Sequence, residues 1–156
     1  MAESQSATPV NQYVVADTSV FLHLSRRSPH TNAYQTLIGE RRLAASFQTW
    51  PELNGAGYRG ERQQRVNDLL TVTLQLPHSG ATNEWYARVQ ERRRDLRKRQ
   101  FSGSDASDAD VWIISSALEH RLPLLSHDKQ QVALGRAMGL KVLTDLEGLR
   151  DENPPP

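Results

Sequence analysis

Four acids in this sequence stand where a strand has just ended or a helix is just beginning: Asp17, Glu52, Asp110 and Asp128. Carboxylates gathered in one cleft repel one another and resist ionisation. A divalent cation relieves that repulsion, and an oxygen-only donor set without His or Cys favours Mg²⁺ or Mn²⁺ over Zn²⁺. Mg²⁺ takes few protein carboxylates, which leaves positions for a phosphate and a water. One or two such ions can activate water, neutralise a phosphodiester and stabilise the leaving oxygen, so the reaction class is phosphodiester hydrolysis. Each acid also has a plainer reading. Asp17 can cap the next helix, Glu52 and Asp110 can be first-turn acids that suit a helix dipole, and Asp128 can be a turn residue. What separates the readings is whether the four meet.

The elements that must bring them together are legible as an alternation. Tyr13 to Ala16 is β-prone and stops at Asp17, after which Thr18 or Ser19 starts a short helix through Leu24. Pro29 opens a second helix, Leu43 to Phe47 reads as a strand, and Thr49 caps a helix with Pro51 and Glu52 in its first turn. A helix from Glu61 to Leu70 follows, then a strand from Val72 to Leu76 and a long polar helix from Thr82 to Gln100. Ser107 caps an apolar helix from Asp108 to His120. Leu122 to Ser126 is a strand, Lys129 to Met138 a helix closed by Gly139, and Leu140 to Leu143 the last strand. Strands separated by helices predict an α/β fold, a three-layer α/β/α sandwich around a mostly parallel sheet. Ligands collect at the carboxyl ends of such strands, which is where the four acids fall.

The chain has 156 residues, room for one domain: a polar leader over 1–11, a domain over 12–146 and a loose tail over 147–156 ending in three prolines. There is no cysteine, which excludes a disulfide scaffold and a thiolate site and suits a reducing cytoplasm. No apolar run is long enough to cross a bilayer, so no membrane partner is expected. Net charge is +1, but seven basic and two acidic residues fall between Arg88 and Arg99, leaving −4 for the rest of the chain. Arg92, Arg93, Arg97 and Lys98 of this stripe can track the backbone of an anionic polymer such as RNA; the competing reading is a solvated face laced by Asp95–Arg99 and Glu91–Arg94 pairs. Trp85, Tyr86 and Trp112 read as packing residues. His23, His30 and His78 lie in unrelated stretches and read as surface residues, and His127 as a turn histidine or a proton shuttle.

The stretch Tyr-Val-Val-Ala-Asp17-Thr-Ser-Val resembles the opening strand and first acid of PIN domains. Trp50-Pro51-Glu52-Leu53-Asn54-Gly55 is similar to the segment carrying the second. Asp110-Val-Trp-Ile-Ile-Ser-Ser-Ala-Leu-Glu-His-Arg-Leu-Pro-Leu-Leu-Ser-His-Asp128 is the most telling part, resembling the helix with the third acid, the buried strand after it and the fourth acid. The similarity runs from about Tyr13 to Asp145. It departs from the family at Ser115-Ser116, where two alanines are usual, and in the crowding of Asp105 and Asp108 around Asp110. The resemblance implies a Mg²⁺- or Mn²⁺-dependent endoribonuclease, the VapC-type toxin of a toxin–antitoxin pair, forming a homodimer and inhibited by a protein antitoxin. It makes Asp17, Glu52, Asp110 and Asp128 the metal-site acids, with Thr18, Ser19 and Asp108 as polar neighbours. A stand-alone PIN nuclease and a non-catalytic PIN-like binding module remain as alternatives. A phosphatase forming an aspartyl-phosphate is disfavoured because its second acid would fall at Ser19, and a receiver-type signalling module because the Asp110–Asp128 segment does not fit its plan.

Overall fold

The computed structural model describes residues 12–55 and 59–146; the expected leader and tail lie outside these residues. Five strands, β1 (Tyr13–Ala16), β2 (Arg42–Ser46), β3 (Leu74–Leu76), β4 (Leu124–Leu125) and β5 (Val142–Leu143), form one sheet in the order β3-β2-β1-β4-β5. Every pairing is parallel. The chain walks outward from β1 to β3, then returns across the sheet to β4 on the other side of β1. The order therefore reverses between β1 and β4, and at such a point the loops after the two strands part to leave a crevice.

Helices α1 (Thr18–Arg26) and α2 (Thr31–Ile38) join β1 to β2; α3 (Thr49–Gly55) and α4 (Gly60–Thr71) join β2 to β3. The return crossing is made by α5 (Gly80–Lys98) and α6 (Asp108–His120), and α7 (Lys129–Ala137) leads to β5. Alternation along the strands sorts the core into two layers. Val15, Ala44, Leu76, Leu124 and Val142 face Val89, Leu96, Val111, Ile114, Val132 and Leu134 of α5, α6 and α7. Val14, Ala16, Ala45 and Leu125 face Phe21, Tyr34, Leu53, Val66 and Leu70 of α1 to α4. A strand's successive side chains point to opposite faces, so one sheet buries both layers. This is the expected three-layer α/β/α sandwich.

Local chemistry adjusts the expected boundaries. α5 begins at Gly80, because Ser79 rather than a later residue forms a capping box with Thr82. Ser107 does the same with Asp110 at the start of α6, as expected. Thr49 lies inside α3 with its hydroxyl buried and unpartnered among the described residues, so it does not serve as the cap. α2 opens at Thr31, two residues after Pro29, since the Thr31 N–H donates to the Ser28 carbonyl. β3 starts only at Leu74, because Thr73 still donates to the α4 carbonyls of Leu69 and Leu70. The buried Ser115-Ser116 pair is satisfied locally: the Ser115 hydroxyl donates to the Val111 carbonyl, and Ser116 pairs with Ser46 across the α6–β2 contact at 3.0 Å. Among the described residues no helix is long and apolar enough to cross a membrane.

Candidate metal centre

Asp17 follows β1, and its N–H donates to the Leu125 carbonyl of β4, which sets it at the reversal point. It occupies the N-cap position of α1, yet its side chain makes no capping hydrogen bond. Its Oδ2 instead accepts from the Ser19 hydroxyl at 2.6 Å, and the residue is 7% exposed. Capping therefore does not account for this acid. Glu52, in the first turn of α3, is drawn to the same edge by the Thr18 hydroxyl, which donates to its Oε1 at 2.7 Å. Thr18 and Ser19, adjacent in α1, thus hold one acid each.

Asp110 and Asp128 do act as local capping groups. Asp110 Oδ2 accepts from the Ser107 N–H at 2.9 Å, and Asp128 Oδ1 accepts from the Gln131 N–H at 2.9 Å. Each is nevertheless within electrostatic reach of Asp17. Burial pushes the Asp17 carboxyl above the usual carboxylate range, Asp128 adds to the rise, and the hydrogen bonds from Ser19 and Thr18 oppose it. Burial and the charge of Asp17 raise Glu52 in the same way. Asp110 is pushed up to about 6, chiefly by burial, with Asp17 and Asp128 adding to the rise. Asp17, Glu52 and Asp110, from three separate elements, thus have a disfavoured charged form, and the charge of Asp128, from a fourth, bears on Asp17 and Asp110.

That is the situation a hard dication relieves. Among the described residues no group of three or more His, Asp or Glu side chains stands close enough together to hold a metal ion. The fit is one of donor chemistry: four carboxylates and two hydroxyls, all oxygen, with Asp17, Glu52 and Asp110 partly or wholly desolvated and Asp17 repelled by Asp128. The residues present suit Mg²⁺ or Mn²⁺ on that ground.

Other expected neighbours are placed elsewhere. Asp108 is largely exposed and pairs with Arg93 at 2.8 Å. Of the basic stripe, Arg92 binds Asp95 and the Ala137 carbonyl. Arg93 holds the Ala106 carbonyl and Gln90, and Arg97 the Ser104 carbonyl. These three pin α5 to the segment after it and to α7. Tyr86 stacks on Trp112 at 3.9 Å between ring centroids, the packing role expected of both. The histidines differ from expectation: His23 and His30 meet His127, with centroids 4.8 to 6.0 Å apart, over the buried ring of Tyr34. His127 also reaches the Ser19 hydroxyl at 3.3 Å, beside Asp17. Helix α1, the N-cap of α2 and the β4–α7 turn supply the three rings, so separation in sequence hid their meeting.

The PIN domain profile matches residues 14–137. This chain belongs to the PIN-domain family. No curated protein sequence matches it. Among solved structures, one similar to it is that of VapBC-5 from Mycobacterium tuberculosis, a member of the VapBC family of toxin–antitoxin systems: 25% identity, TM-score 0.62, covering 85% of this chain and 98% of the other. VapBC-1 from nontypeable Haemophilus influenzae matches at 21% identity and TM-score 0.63, over 85% of this chain and 97% of the other. VapBC2 from Rickettsia felis, bound to a DNA fragment from its promoter, matches at 14% and 0.64, over 85% and 98%; at these last two identities the likeness is one of fold. PIN domains are generally nucleases that use divalent metal ions. In this PIN domain, Asp17, Glu52, Asp110 and Asp128 lie at the carboxyl edge of the sheet that the topology leaves open.

Proposed function

We propose that this PIN domain is a Mg²⁺- or Mn²⁺-dependent endoribonuclease and the toxin of a toxin–antitoxin pair, with a protein antitoxin as partner and a second copy of itself as dimer mate. The observation that carries the reading is the electrostatic coupling of Asp17 to Glu52, Asp110 and Asp128, four acids delivered by four elements. The toxin assignment draws on the likeness to VapBC-5 over nearly all of that chain.

In this mechanism Asp17, Glu52, Asp110 and Asp128 would hold one or two ions. When bound, such an ion would supply electrophilic charge at the scissile phosphate and lower the pKa of water. The chain supplies the rest. The Ser19 and Thr18 hydroxyls fix the rotamers of Asp17 and Glu52. The starts of α6 and α7 fix Asp110 and Asp128 through backbone N–H groups, so the carboxylates need little reorganisation when charge arrives. Burial of Asp17 limits competition from bulk water. The outward edge of α5, with Lys98, positions the RNA strand through its phosphates. No side chain becomes covalently attached to the substrate.

Purified protein with Mn²⁺ should cleave a structured RNA, and Asp17→Asn should lose on the order of 100-fold or more. Removing even an outer partner of a metal site costs about 10–100-fold, and Asp17 is more central than that. Full activity in Asp17→Asn would remove the mechanism. Expression should arrest growth, and co-expression of a small DNA-binding protein encoded by a neighbouring gene should relieve the arrest. Cleavage without any such relief would leave the nuclease standing and remove the toxin–antitoxin assignment.

A further inference from the structure

Gln131 lies in the first turn of α7 and is fully buried. Its backbone N–H donates to Asp128 Oδ1 at 2.9 Å, and its side-chain Nε2 donates to Asp110 Oδ1 at 3.2 Å. One residue therefore touches two acids that lie on different elements. The other end of the amide, Oε1, is buried with no partner among the described residues. Turning the amide round would aim Oε1 at a carboxylate oxygen, so contact with Asp110 fixes its orientation.

A buried acceptor left unpaired disfavours the folded state. Methionine, unbranched and of similar length, would fill the same space without that penalty. What the amide contributes is thus its donor, and the donor is given to Asp110. The neighbouring Gln130 supports the same geometry. Its Oε1 accepts from the N–H groups of Gly103 at 2.8 Å and Asp105 at 3.1 Å, so the first turn of α7 also grips the segment that leads into α6.

We propose that Gln131 is a positioning residue that fixes Asp110 relative to Asp128, so that both carboxylates are presented to one ion. The proposal rests on the metal-dependent reading above. Carboxylates that bind metals are themselves held by hydrogen bonds, and loss of such a partner weakens metal affinity about 10–100-fold.

The test compares the wild-type protein, Asp17→Asn, Gln131→Met and Gln131→Leu. Mn²⁺ binding is read by calorimetry and by loss of the free-ion EPR signal, and folding by thermal melting without metal. Gln131→Met should melt at or above the wild-type temperature, and its Mn²⁺ Kd should rise about tenfold or more. The Mn²⁺ concentration for half-maximal RNA cleavage should rise by the same factor, with a smaller change in kcat at saturating Mn²⁺. Gln131→Leu should behave likewise. A folded variant that binds Mn²⁺ within twofold of wild type overturns the proposal. Loss of folded protein in both variants overturns it too, because the amide would then be structural. If the wild type binds Mn²⁺, Asp17→Asn does not, and Gln131→Met is unchanged, only this proposal fails. If wild type and Asp17→Asn are alike in not binding, the functional reading fails with it.

Discussion

At the scale of the residue, the cluster makes the metal-free protein sensitive to pH in an unusual direction. Asp17, Glu52 and Asp110 all sit above their ordinary carboxylate range in the folded state, Asp110 at about 6. Between the unfolded values near 4 and these raised ones, the native protein binds more protons than the unfolded chain. The stabilisation is fully present below about pH 4 and is lost as pH rises through about 6. The metal-free melting temperature should therefore fall between pH 5 and pH 7.5, and Asp110→Asn should flatten that fall. Mn²⁺ should restore the melting temperature at pH 7.5 and act weakly at pH 5, where protons compete for the same oxygens. A melting temperature that rises steadily over this interval without metal would contradict the buried-acid account.

At the scale of the element, α5 shows how a basic stripe divides its labour. Arg93 is mostly buried at its side chain and holds Ala106, Gln90 and Asp108, while Lys98 is exposed at the end of the helix. Arg93→Ala removes a hydrogen bond to a carbonyl and an ion pair at once. It should cost on the order of 1–3 kcal/mol in urea unfolding, because the Ala106 carbonyl loses a charged donor. Lys98→Ala should leave stability within about 0.5 kcal/mol and weaken RNA binding by an Asp17→Asn protein, with a shallower dependence on salt. If Arg93→Ala weakened RNA binding without loss of stability, the division would be reversed. The sequence marked the stripe as basic. It could not mark which guanidiniums were engaged beyond their own helix, because those partners lie in the following loop, at the start of α6 and on α7.

At the scale of the whole molecule, the return crossing from β3 to β4 is what opens the site, and one glycine lets its connector close tightly. Gly103, between α5 and α6, has φ +105°, and a Cβ there would stand 3.0 Å from the Leu134 nitrogen and from Leu96 Cδ1. Both the backbone conformation and the space exclude a side chain. Gly103→Ala should destabilise the domain by on the order of 1–3 kcal/mol, seen as a lower urea midpoint. It should also loosen the Gln130 contact to the Gly103 N–H and so weaken Mn²⁺ binding at the α6 start. An unchanged midpoint would mean that the connector can move aside.

The alternation of strands and helices, the three-layer class and the edge on which Asp17, Glu52, Asp110 and Asp128 fall were legible from the residues alone. Those features follow from local periodicity, from capping residues such as Ser107, and from the rule that parallel strands end on a common side. Tertiary structure decided what no local pattern encodes: that Asp17 turns from capping to Ser19, that Asp108 faces Arg93, that Gln131 joins two acids, and that three scattered histidines share one floor at Tyr34. Each of the last three depends on partners brought together only when the sheet stacks its helices, since a side chain's partner is set by distance in space and not along the chain.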